Sequence, residues 1–190
     1  MRDPLTPMPT VLAILAEGFE EIEATTPIDL LRRAGAEVTV AALGDGIHVT
    51  GRTGLTVHAD TTLAAITAEH PPRRFDCLFL PGGPGVKHLR ADPRVPALAV
   101  EFHKTGRLVA AICAAPAVLH DAGLLAGRRY TAHFSVANEL KSILANERVM
   151  LDDRLLTSRG AGTALDFGLK LVDLLFSAEK AAEIARAIAA

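Results

Sequence analysis

Residues 108–116 read L-V-A-A-I-C-A-A-P: five apolar residues in a row, a cysteine and two alanines, then a proline that opens a helical pattern. Five consecutive apolar positions (108–112) suit a strand covered on both faces, because a half-exposed strand alternates apolar with polar residues. Three further runs have the same form: V-L-A-I-L-A (11–16), V-T-V-A-A-L (38–43) and C-L-F-L (77–80). Stretches with helical spacing lie between and after them, at 20–34, 93–105, 116–123, 135–145, 162–175 and 178–188. Along 162–175, Leu165, Leu169, Val172 and the following Phe176 recur at three- and four-residue steps, which makes one apolar stripe. Two weaker pieces, 46–58 and 147–157, alternate enough to be short antiparallel additions. Strands alternating with helices predict a three-layer α/β sandwich with a mostly parallel central sheet. Pro27 leaves one local choice open: either Thr26 caps a helix that begins at Pro27, or a longer helix bends there.

The rest of the composition narrows the function. The chain has 190 residues, 49% of them hydrophobic and 22% charged, enough apolar material for one buried core and too much for disorder. The first ten residues carry three prolines and no periodicity, so they read as a flexible extension (1–10) before a single domain (11–190). A formal net charge of −2 offers no electrostatic drive toward nucleic acid or anionic lipid. The longest apolar run, Leu108 to Leu119, is too short to span a bilayer and contains Pro116. Two cysteines make no disulfide framework, and the start of the chain lacks the pattern of a secretory leader. A cytoplasmic protein is the expectation.

In open α/β sheets, ligands bind beyond the carboxyl ends of the strands. The segments that follow the strands here are E-G-F-E-E-I-E (17–23), P-G-G-P-G (81–85), Cys113, and His133 after a short apolar piece near Tyr130. A strand that turns directly into a helix lifts the junction residue out of the sheet, and N–H groups at the helix start favour a thiolate. Cys113 stands at such a junction, with small neighbours Ala111, Ala114 and Ala115. The ordinary alternative is a small buried hydrophobe, the reading given to mid-strand Cys77. Glycines at 82 and 83 let backbone N–H groups approach an oxyanion, although a Gly-Gly turn also serves as a plain loop. One of Glu17, Glu20, Glu21 and Glu23 facing Cys113 would share a proton with it; otherwise the four form a solvated acidic helix start. No metal motif, phosphate-binding loop or dinucleotide fingerprint is present, so no cofactor is expected.

Four segments in order, L-A-E-G-F-E-E-I-E-A-T-T-P-I-D-L-L-R-R-A-G, L-F-L-P-G-G, A-A-I-C-A-A-P and L-T-S-R-G-A-G-T-A-L-D-F, resemble the DJ-1/PfpI superfamily, specifically its DJ-1/ThiJ clade. The resemblance runs from about Val11 to Phe176. It implies a flavodoxin-like sandwich that dimerises. It also implies that Cys113 is the nucleophile, Glu23 its protonated partner and His133 the third member of a loose triad. Gly83 and the backbone at Ala114 would form an oxyanion hole beside Gly82, while Arg33 and Arg52 would belong to a small anion pocket near the dimer interface and Arg159 to another pocket. Two positions depart from the pattern, Ala161 in G-A-G-T and Phe134 after the histidine. Ala114, where a peptidase branch has histidine, argues against proteolysis.

The function implied is cofactor-free conversion of α-oxoaldehydes such as methylglyoxal and glyoxal to hydroxyacids, or removal of their early adducts (deglycation). An oxidisable cysteine in a redox sensor or chaperone is one alternative. Another is a different hydrolase of the superfamily, such as an isonitrile hydratase or amidase, although His133-Phe134-Ser135 lacks the His-x-Glu of amidotransferase relatives.

Overall fold

The computed structural model describes residues 7–69 and 74–190. Its centre is a seven-stranded sheet built from β1 (Thr10–Leu15), β2 (Glu37–Ala42), β5 (Thr61–Thr62), β6 (Cys77–Leu80), β7 (Leu108–Ile112), β8 (Val149–Asp152) and β9 (Leu155–Ser158), in the order β5-β2-β1-β6-β7-β9-β8. Every pairing is parallel except that of β8 with β9. A separate antiparallel hairpin, β3 (His48–Thr50) with β4 (Thr56–His58), accounts for the 46–58 piece.

Continuous apolarity in the strands has the meaning expected of it. Val11, Ala13 and Leu15, with Phe79, Ala110 and Ile112, face one layer of helices: α1 (Glu21–Ala34), α6 (Ala164–Leu175) and α7 (Ala178–Ala187). Leu12, Ile14, Leu78, Leu80, Val109 and Ala111 face the other layer: α2 (Leu63–Ala68), α3 (Val86–Ala91), α4 (Arg94–Lys104) and α5 (Pro116–Asp121). Both faces of the sheet are therefore dry, and the architecture is the flavodoxin-like sandwich. Cys77 is wholly buried within it, a core residue.

Helix α1 resolves the proline ambiguity in favour of the longer helix. Its N-cap is Glu20, whose carboxylate accepts the N–H of Glu23 at 2.8 Å, and Gly35 ends it in the left-handed region. Pro27 lies inside and cannot donate back to the carbonyl of Glu23. Placing Glu23 in the first turn aims its side chain at the sheet's carboxyl edge.

Two expectations need correction, and a third lies mostly outside the described residues. Residues 135–145 do not form a helix: a 3-10 turn at Phe134–Val136 gives way to loop. Leu144 instead donates its N–H to the carbonyl of Tyr130, and Ile143 bridges Tyr130 in parallel. Strand β9 is more than an edge addition, since it pairs parallel with β7 from Val109↔Leu155 to Ile112↔Ser158. The expected extension 1–10 falls mostly outside the described residues (1–6). Its last residue, Thr10, already opens β1, with its N–H on Asp76 at 2.8 Å.

Candidate functional site

At the end of β7 the chain turns through Cys113 at φ +66°, a left-handed conformation that costs a non-glycine residue about 1–2 kcal/mol. Backbone bonds on both sides hold it there. The N–H of Cys113 donates to Ser158 at 2.8 Å, and its carbonyl accepts the N–H of His133 at 2.8 Å. Pro116 then opens α5, where the missing N–H is not needed. The same clamp that strains the cysteine thus fixes His133 beside it.

Glu23 is 1% exposed and meets the thiol from α1 in a direct hydrogen bond. Its Oε2 accepts the N–H of Gly82 at 3.0 Å, and the N–H of Ala161 donates to the same carboxyl. This close approach requires glycine at 82: a Cβ there would lie 2.5 Å from both the Cys113 Cβ and Glu23 Oε2. The N–H groups of Gly83 and Ala114 point at the sulfur. Gly160, at φ +155°, leaves a space that a Cβ would share with the His133 ring at 3.4 Å, Glu23 Oε1 at 3.6 Å and Cys113 Sγ at 3.9 Å. Thiol, carboxyl and imidazole therefore converge beside Gly160.

The electrostatics differ from the expectation of an open, acidic thiol. Cys113 is only 9% exposed. Burial, then the charge and hydrogen bond of Glu23, push its thiol up to about 12, against the pull of the Gly83 and Ala114 N–H groups. Burial also pushes the Glu23 carboxyl up to about 7, with the Cys113 hydrogen bond opposing. Helix α5 is six residues long, and its partial charge does not offset the loss of water. The two groups behave as a unit that gives up one proton around pH 7 and holds the other far into alkali.

His133 Nδ1 accepts the N–H of Ser135 at 3.2 Å and lies 2.9 Å from its hydroxyl, so the neutral ring carries its proton on Nε2. Desolvation, then the charge of Arg52, holds this imidazole below its ordinary pKa. Arg52 reaches the site on the β3–β4 loop, whose backbone is tied to Phe19 at 2.8 Å. Arg159 lines a cleft of about 680 Å3 together with His133, Gly160 and Ala161.

Arg33 lies further along α1, ten residues beyond Glu23 and about 15 Å along the axis, and pairs with Asp29 at 2.6 Å. Of the other acids, Glu17 accepts the N–H of Thr50, Glu20 caps α1, and Glu21 accepts from Thr53 at 2.6 and 2.7 Å. The sequence reading missed Gly160 as the point on which the three groups converge, the Ala161 N–H on Glu23 and Ser135 as the tautomer-setting partner. The only signal for the first two was the S-R-G-A-G-T segment itself. Among the described residues no group of three potential ligands could hold a metal ion, and no helix is long and apolar enough to cross a membrane.

Comparison with known proteins bears on the family and the fold. The chain matches the DJ-1/PfpI family over residues 9–174. It is 37% identical to protein dj-1beta of Drosophila melanogaster over 183 residues, which is 94% of this chain and 96% of that one. It is 32% identical to deglycase TK1284 of Thermococcus kodakarensis, over 87% of this chain and 98% of that one. Protein DJ-1 homolog A of Arabidopsis thaliana is 39% identical over 92% of this chain, which spans only 45% of that protein's length. Among solved structures, oxidized Toxoplasma gondii DJ-1 superposes with a TM-score of 0.86 at 37% identity, covering 94% of this chain and 97% of that one.

Proposed function

The chain belongs to the DJ-1/PfpI family, and from that membership we propose that it is a cofactor-free cysteine enzyme that isomerises and hydrolyses small α-oxoaldehydes, free or as early adducts. One observation carries this reading: the buried Glu23 carboxyl and the Cys113 thiol lie together at the end of β7, with the His133 ring beside them. The name of the Thermococcus relative, a deglycase, supports the substrate class.

The reaction starts from the minor microstate with the pair's proton on Glu23 and the charge on sulfur, toward which the Gly83 and Ala114 N–H groups pull. Sγ adds to the aldehyde carbon of methylglyoxal. The new oxyanion takes the Glu23 proton, giving a hemithioacetal, and nearby backbone N–H groups stabilise the charge as it develops. The carboxylate of Glu23 then removes the proton on that carbon, while Nε2–H of His133 supports the neighbouring carbonyl oxygen as it takes up charge. Returning the proton to the second carbon yields a hydroxyacyl thioester. Water cleaves it to lactate, which restores the thiol–carboxyl pair. No net oxidation occurs. For a hemiaminal adduct, sulfur attacks the same carbon and expels the amine, which takes the Glu23 proton, and the same hemithioacetal results.

Purified wild type is expected to consume methylglyoxal and form lactate without glutathione, and Cys113→Ala to lose all turnover. Undiminished consumption by Cys113→Ala would end the enzyme reading. A homodimer in a reducing cytoplasmic compartment belongs to the same proposal, and sedimentation velocity tests the dimer.

A second reading has its own support, since the Toxoplasma relative is described in an oxidized form. In a redox sensor Cys113 would stop at sulfinate, stabilised by the protonated Glu23. Mass spectrometry after mild peroxide separates the two. Two oxygens on Cys113 together with no methylglyoxal turnover favour the sensor.

A further inference from the structure

The cleft beside the thiol–carboxyl–imidazole cluster is larger than a free dicarbonyl requires. At about 680 Å3 it falls in the range of roughly 300–1,000 Å3 that encloses drug-sized ligands, whereas methylglyoxal has only a handful of heavy atoms. Its charged lining has one sign: Lys141, Arg148 and Arg159 border it, and no carboxylate does. Arg148 is already committed, with Nε on Asp166 at 2.6 Å and Nη2 on the Gly162 carbonyl at 2.9 Å. Arg159 is half-buried and donates only Nη1, to the Ala145 carbonyl at 2.9 Å, which leaves most of its planar fork for a ligand. Lys141 is exposed and, like Arg159, forms no ion pair among the described residues. Phe134, 81% exposed, lies beside the His133 ring at 4.0 Å between centroids and presents an apolar face at the same cleft.

We propose that this cleft recognises an anionic group, a carboxylate or phosphate, carried on the substrate several atoms from its reacting aldehyde. Arg159 and Lys141 hold the anion, and Phe134 covers the apolar spacer between anion and aldehyde. The inference rests on the α-oxoaldehyde reading and narrows it: the preferred substrate is an acidic oxoaldehyde, or an adduct on an acidic molecule, rather than free methylglyoxal.

The test compares 4-carboxyphenylglyoxal with its neutral 4-carbamoyl counterpart, using the full chain. Both carry the same reactive head and ring. The carboxylate is expected to show a kcat/KM at least about tenfold higher at low ionic strength, mostly through KM. That advantage should shrink as salt rises and fall toward unity in the Arg159→Gln, Lys141→Gln double variant. Equal kcat/KM for the two compounds in wild type at low salt overturns the proposal, as does a ratio unchanged in the variant. The wild-type salt series needs no variant to fold. Turnover of neither compound overturns the catalytic reading itself, a result distinct from the loss of preference.

Discussion

Glu23→Gln removes the acid from the pair while preserving its shape, and two measurements follow from it. In wild type the carboxyl at about 7 sets the pH at which the pair releases its first proton. In the variant the sulfur loses the charge and hydrogen bond of Glu23 but keeps its burial, the largest of the raising effects, along with the Gly83 and Ala114 N–H groups. Its thiol is then expected to ionise at or above the ordinary value of 9.0. The midpoint of iodoacetamide alkylation should therefore fall from about 12 in wild type toward 9, because both the charge and the hydrogen bond of Glu23 raise the sulfur. Folding stability gives the second readout. The folded pKa of Glu23 lies above its unfolded value of 4.5, so between 4.5 and about 7 the native state keeps a proton that the unfolded chain has lost. Stability is therefore fully present below 4.5 and declines as pH rises through 7, by about 3 kcal/mol at roughly 1.4 kcal/mol per pH unit. The variant lacks that decline, so the wild-type minus variant difference in urea unfolding at pH 4.5 and 7.5 isolates it. An alkylation midpoint in Glu23→Gln no lower than that of wild type, or a stability difference that does not change with pH, would refute the account of a coupled thiol and carboxyl.

Gly82→Ala should destabilise the fold by about 1–3 kcal/mol in urea unfolding, because the new Cβ meets the Cys113 Cβ, Glu23 Oε2 and the Ile112 carbonyl, all held in place. It should also shift the alkylation profile by parting thiol from carboxyl. Arg52→Gln removes a positive charge facing His133, so the His133 titration followed by NMR should move upward, toward the ordinary imidazole value. Desolvation remains, and the return should be incomplete.

The two layers of helices and the parallel order were legible because burial on both faces leaves a plain mark. Runs such as Leu108–Ile112 carry no polar residue to alternate with, and only a covered sheet accommodates that. Short elements left less. Helices α2 and α3 have six residues each, under two turns, too few for an apolar period to repeat. The segment 135–145 had helical spacing, yet Val136 and Leu140 are buried as part of a loop that Tyr130 draws into a bridge. Periodicity reports which side chains are buried. It does not report whether the backbone finds a better partner elsewhere in the chain.

By itself the sequence determined the sandwich, the elbow position of Cys113 and the collection of acids, glycines and histidine at one rim, because each follows from local pattern and chain order. Family likeness then singled out Glu23. Only the tertiary structure decided that the thiol is enclosed and raised rather than open and acidic. It also set Arg159, Lys141 and Phe134 along the adjoining cleft. The physical reason is that desolvation and charge coupling depend on distances between residues from Glu23 to Gly160, remote in sequence, and those distances exist only once the helices have closed over the sheet.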